Sequence, residues 1–149
     1  MNTYSRSESL DAVLDTQSIL DWLHFADPRC TAWEAWRQAG AWRWRIAAPL
    51  RDELAHVLAR GRLPAAAPSG QPVLAQVDVR ALPGELPTPA PLPSLRCTDR
   101  DDQKFIDFAL ACGARWLVSR DKAVLKLRRR ALALHGLQIV HPDDWRPAG

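Results

Sequence analysis

Short apolar runs, each closed by an acid or a turn and followed by a stretch of helical period, recur along the chain. This alternation most limits what it can fold into. Ala12-Val13-Leu14 ends in Asp15-Thr16, after which Ile19, Leu20 and Leu23 return at helical spacing up to Asp27-Pro28. A second helix is predicted from Thr31 to Gln38, closed by Gly40, and Trp42 to Ala47 alternates as a strand does. Pro49 suits a first helical turn, and Leu50, Leu54, Val57 and Leu58 then follow at helical spacing up to Gly61. Further on, the pattern predicts a helix from Gln103 to Cys112, a strand over Trp116 to Ser119, a helix from about Ala123 to Leu134 and a strand from Leu137 to Val140. Strand and helix in repeated succession imply an α/β fold of three layers, with a central parallel sheet covered by helices on both faces.

Between 61 and 95 the pattern fails. Pro64, Pro68, Pro72, Pro83, Pro87, Pro89, Pro91 and Pro93 break any long element, so a surface excursion is expected there, inside a single domain spanning 1–149. Within it, Val73 to Leu82 reads equally as a short helix or an alternating strand. The start of the chain has no apolar signal core and no stretch approaches a bilayer span, so a cytoplasmic protein without membrane contact is expected. Cys30, Cys97 and Cys112 are odd in number and lack C-x-x-C spacing, which argues against a disulfide framework or a structural zinc. A net charge of +3 is compatible with a polyanionic partner but too mild to establish one. Trp33 and Trp36, three apart, read as a helix face packed on the core or on a second copy of the chain, with base stacking as the alternative.

The acids carry the functional signal. In open α/β sheets ligands collect at the carboxyl ends of the strands, and Asp15 and Asp121 both lie just past a predicted strand, although helix N-capping would also explain either one. On a helical wheel Asp102 lies in the centre of the stripe of Phe105, Ile106, Ala109 and Leu110, while Asp101 and Asp107 fall outside it. Glu53 sits on the shoulder of the Leu50, Leu54, Val57 stripe. An inward carboxylate needs a compensating partner, either an arginine or lysine or a metal ion. Converging acids repel one another and attract a hard divalent cation, and oxygen ligands favour magnesium or manganese over zinc. His24, His56, His135 and His141 have no mutual ligand spacing.

On these residues the chain resembles the PIN domain family, in particular the branch of toxin components of toxin–antitoxin pairs. Asp15-Thr16-Gln17 is similar to its D-T-N motif, and Glu53 in Pro49-Leu50-Arg51-Asp52-Glu53-Leu54 is similar to its helical glutamate. Asp99-Arg100-Asp101-Asp102-Gln103-Lys104-Phe105 resembles its D-x-D-D-x-K-F helix start, and Ala109 to Asp121 resembles its A-L-x-x-G-A-x-x-L-V-[TS]-x-D segment. The resemblance covers nearly the whole chain and implies a magnesium- or manganese-dependent endoribonuclease. It implies Asp15, Asp102 and Asp121 as metal ligands with Glu53 assisting, and Thr16, Gln17 and Ser119 as hydrogen-bonding support. A small antitoxin protein is the partner it implies.

Lys122, Lys126, Arg128, Arg129 and Arg130 follow Asp121 and could meet RNA phosphates, or form a solvated helix face. Gln17 stands where the family has Asn, keeping the amide on a longer side chain. That departure supports an alternative, a PIN-like binding or assembly protein with impaired catalysis. A phosphatase of the haloacid-dehalogenase class needs a second acid where Gln17 stands, and a response-regulator receiver needs paired acids that the layout does not supply.

Overall fold

The computed structural model describes residues 6–60, 72–86 and 95–147. Its strands are β1 (Asp11–Leu14), β2 (Arg43–Ala47), β3 (Leu82–Gly84), β4 (Trp116–Val118) and β5 (Gln138–Val140). The helices are α1 (Thr16–Leu23), α2 (Thr31–Gln38), α3 (Ala48–Ala59), α4 (Val73–Arg80), α5 (Gln103–Ala111), α6 (Lys122–Leu125) and α7 (Arg128–His135). All strand pairs are parallel, in the order β3-β2-β1-β4-β5. The chain winds outward from β1 to β3, crosses back to β4 and continues to β5. Right-handed crossovers therefore place α1 to α4 on one face of the sheet and α5 to α7 on the other. The reversal of direction falls between β1 and β4, where an open parallel sheet has its crevice.

Strands buried on both faces explain the runs without polar alternation: Ala12, Val13, Leu14, Trp116, Leu117 and Val118 are all buried. Tryptophans build one end of the core. Trp145 packs edge-on against Trp42 and Trp33 at centroid distances of 4.8 and 5.2 Å, and Trp22 lies 5.4 to 5.7 Å from Trp33, Trp42 and Trp44. Trp33 is thus a core residue, held further by the Trp42 indole N–H donating to its carbonyl at 2.9 Å, and Trp36 is half-buried against the same core. Base stacking is not available to Trp33.

Two expectations change. The described part of the proline-rich stretch, 72–86, is not a surface excursion, because α4 buries Val73, Gln76 and Val77 and β3 extends the sheet. Leu82-Pro83-Gly84 reads as a breaker, yet Pro83 is tolerated on an edge strand, where its missing N–H faces away from the ladder. Gly84 is required there: a Cβ would meet the Phe108 ring at 2.7 Å. The remainder of that stretch lies outside the described residues. The single helix expected from Ala123 to Leu134 is broken by a turn at Lys126 and Leu127 into α6 and α7, with Leu127 buried.

Arg6 ties the helices of the second face together. Its guanidinium donates to the carbonyls of Ala109, Leu110, Ala114 and His135 at 2.9 to 3.2 Å, capping the carboxyl ends of α5 and α7 where a cation is favoured. No helix among the described residues is long and apolar enough to cross a membrane. Trp145→Ala, which empties the centre of the tryptophan cluster, should cost about 3–5 kcal/mol of stability, measured by urea denaturation. A loss below 1 kcal/mol would remove Trp145 from the core.

Candidate metal-binding acid pocket

Asp15 begins the site because it stands where β1 gives way to α1. Its carboxylate caps α1 by accepting from the Ser18 N–H at 2.8 Å, and its other oxygen accepts from the Ser119 hydroxyl at 2.6 Å. Ser119 follows β4, so this bond spans the two strands on either side of the reversal. The Ser119 hydroxyl in turn accepts from the Asp121 N–H at 3.0 Å, and Asp121 caps α6 through the Ala123 N–H at 2.8 Å. Capping and site-building are therefore the same geometry. Each carboxylate oxygen retains a lone pair after its cap is made. Burial raises the pKa of Asp15, opposed by its bonds to Ser119 and Ser18, and the charge of Asp121 raises it further.

Asp102 arrives from the other helix layer, at the last residue of a 3-10 turn (Arg100–Asp102) that runs into α5. Gln103 fixes the approach: its side chain accepts from the Cys97 N–H at 2.7 Å and donates to the Leu95 carbonyl at 2.7 Å. Oxygens of Asp99, Asp102 and Asp121 all lie within 4.8 Å of one another. Asp102 Oδ2 is buried without a hydrogen-bond partner among the described residues. Burial, then the charges of Asp121 and Asp99, a hydrogen bond to Asp121 that favours the protonated form, and the charge of Asp15 push the Asp102 carboxyl up to about 7. Among the described residues no basic side chain pairs with these three acids, and hard oxygen donors converging this closely fit a divalent cation.

A cavity of about 650 Å³ is lined by Asp15, Thr16, Gln17, Glu53, Asp102, Arg120, Asp121 and Lys122, with Leu20, Val57 and Phe105 as its apolar wall. The four acids singled out in the sequence thus share one cavity. Glu53 differs from the rest. Its two oxygens are taken by the Thr16 hydroxyl and by the Lys104 ammonium, each at 2.5 Å, so it carries a basic partner of its own. Gln17 sends its amide to Asp21 at 2.9 Å rather than toward Asp15. Arg120 sits 3.3 Å from the same Asp21. Asp99 and Lys104 both lie in the D-x-D-D-x-K-F segment, where helical position alone marks only Asp102. Lys122, Lys126, Arg128 and Arg129 surround a neighbouring cavity of about 500 Å³ with Leu125, and Lys122 borders both.

A carboxyl whose pKa is raised in the folded state binds more protons folded than unfolded, so its contribution to stability declines as pH rises from near 4 through about 7. In chelator, Asp102→Asn should therefore melt above the wild type by a margin that grows between pH 5 and pH 8. Added manganese should shrink that margin. A margin independent of pH would rule out the raised carboxyl of Asp102 as its cause.

The chain matches a family model described as PIN domain over residues 11–123, a span that includes Asp15, Glu53, Asp99, Asp102 and Asp121. No curated protein and no solved structure matches it. With a parallel five-stranded sheet, an acidic cluster at the strand ends and a match across most of its length, the chain belongs to the PIN domain family, whose chemistry is of the nuclease type.

Proposed function

We propose that this chain is a single PIN domain that hydrolyses RNA phosphodiester bonds with magnesium or manganese, as the toxin of a toxin–antitoxin pair. One observation carries the reading: Asp102 has a buried oxygen with no donor among the described residues, in a group of three carboxylates whose oxygens lie within 4.8 Å. Leaving such a group uncompensated is costly unless a cation occupies it in the working protein. Asp15, Asp102 and Asp121 would hold the ion, and Asp99 joins them by proximity. A divalent cation bound there supplies the charge that acidifies a water and offsets the developing charge on the leaving oxygen.

The protein's own groups do the positioning. Ser119 orients Asp15 and is itself fixed by the backbone at Asp121, while Thr16 and Lys104 hold Glu53 at the edge of the cavity. Lys122, Lys126, Arg128 and Arg129 supply the positive surface on which the flanking phosphates of an RNA strand would lie, since Lys122 joins the basic cavity to the acidic one. The acidic opening is a surface that a small antitoxin would cover in the cytoplasm. The alternative of an impaired binding or assembly protein rests on Gln17, whose amide is spent on Asp21 and not on the acids proposed as ligands.

Incubation of a single-stranded RNA with the protein and manganese should give cleavage that chelator stops. Asp15→Asn should keep its circular dichroism spectrum and lower the rate by more than roughly 100-fold, beyond the loss typical of a group that only supports a ligand. Cleavage at the wild-type rate by that variant would take Asp15 out of the site. Lys126→Ala and Arg129→Ala should each weaken RNA binding and lower the slope of log affinity against log salt by about 1. An unchanged slope would mean that the cationic face is merely solvated.

A further inference from the structure

We propose that Lys104 is a positioning residue that holds Glu53 away from the cation, so that the cation is carried by aspartates alone; this rests on the nuclease reading above. Lys104 lies on α5 and Glu53 on α3, helices of opposite layers, and their contact closes over the carboxyl edge of the sheet. The ammonium takes one Glu53 oxygen at 2.5 Å and the Thr16 hydroxyl takes the other at 2.5 Å. Both side chains are about three-quarters buried, at 29% and 27% exposure, which makes the pair less screened than a surface ion pair. Thr16 follows Asp15 directly and Lys104 is two residues past Asp102, so the residues that clamp Glu53 belong to the same two segments that carry the proposed ligands.

The contrast within the cavity is chemical. Asp102 has an oxygen with no donor among the described residues, whereas both Glu53 oxygens have one. A cation entering the cavity therefore meets aspartates that gain from it and a glutamate already neutralised. Lys104 is in effect a resident competitor for Glu53, and its charge also repels an incoming cation. Removing that charge should strengthen cation binding while releasing Glu53 from its orientation. A lysine that served only packing would weaken both properties together when replaced.

The test is manganese titration by calorimetry on the full-length chain, alongside RNA cleavage and thermal melting. Lys104→Met should bind manganese roughly 3- to 10-fold more tightly, through loss of a nearby positive charge. At saturating manganese it should cleave roughly 10- to 100-fold more slowly, as for loss of a group that orients a catalytic side chain. Lys104→Arg, which keeps the charge, should return the affinity to within about twofold of wild type. The double variant Lys104→Met/Glu53→Gln removes both charges of the pair and keeps the question open to test if Lys104→Met alone does not fold. Its manganese affinity should equal that of the wild type, whereas a tenfold loss would mean that Glu53 is a ligand and would overturn the proposal. Unchanged or weaker manganese binding by a folded Lys104→Met overturns it as well. A wild-type chain that binds no manganese defeats the nuclease reading itself and this proposal with it.

Discussion

The hydrogen bond from Ser119 to Asp15 is the contact on which the rest of the site depends. It joins the first residues past β1 and β4, the two strands between which the winding of the sheet reverses. At such a reversal the connections leave the two paired strand ends toward opposite faces of the sheet, and the side chains there face a crevice rather than a neighbouring connection. A buried carboxylate is tolerable in that position because two hydrogen bonds compensate it in part, one from the Ser119 hydroxyl and one from the Ser18 N–H at the α1 amino end. Through Ser119 the same bond fixes the Asp121 backbone, so two of the proposed ligands are placed by one hydroxyl.

Around that contact the chain solves the same electrostatic problem in different ways. Asp11, buried at the opposite end of β1, is matched by Arg43 at 3.0 Å and Arg45 at 3.2 Å from the adjacent strand. Asp21 is matched by Gln17 and Arg120, and Glu53 by Lys104 and Thr16. Asp102, with Asp99 and Asp121 beside it, has no such match among the described residues. The distinction separates acids that stabilise the fold from acids left available for an external cation. It is visible only when partners from distant segments are in place, because each matching group comes from another element or another turn.

The core extends past the segment that identifies the family. Trp145 lies beyond residue 123 and yet sits between Trp33, Trp42 and Trp116. Its packing against α2, the residue before β2 and the start of β4 seats the chain after a 3-10 turn (Pro142–Asp144) on the core. At the other edge, β3 and α4 complete the sheet and its covering layer from a region that reads as punctuation.

Local pattern alone determined much of this protein. The strand-and-helix alternation stated a parallel α/β fold, and the alignment of Asp102 with the apolar stripe of the helix that follows it was legible from periodicity. The spacing of Asp15 and Asp121 after apolar runs placed them at strand ends, since these features depend only on neighbours within a few residues. Tertiary structure decided the rest. A three-residue strand containing proline and glycine has too little sequence to announce itself, and its pairing with β2 comes from packing. The break between α6 and α7 lies inside an unbroken helical period. Whether an acid faces a lysine, an arginine or nothing depends on which segments the sheet brings together. That is why Glu53 and Asp102, alike as inward carboxylates in the sequence, end in opposite electrostatic circumstances.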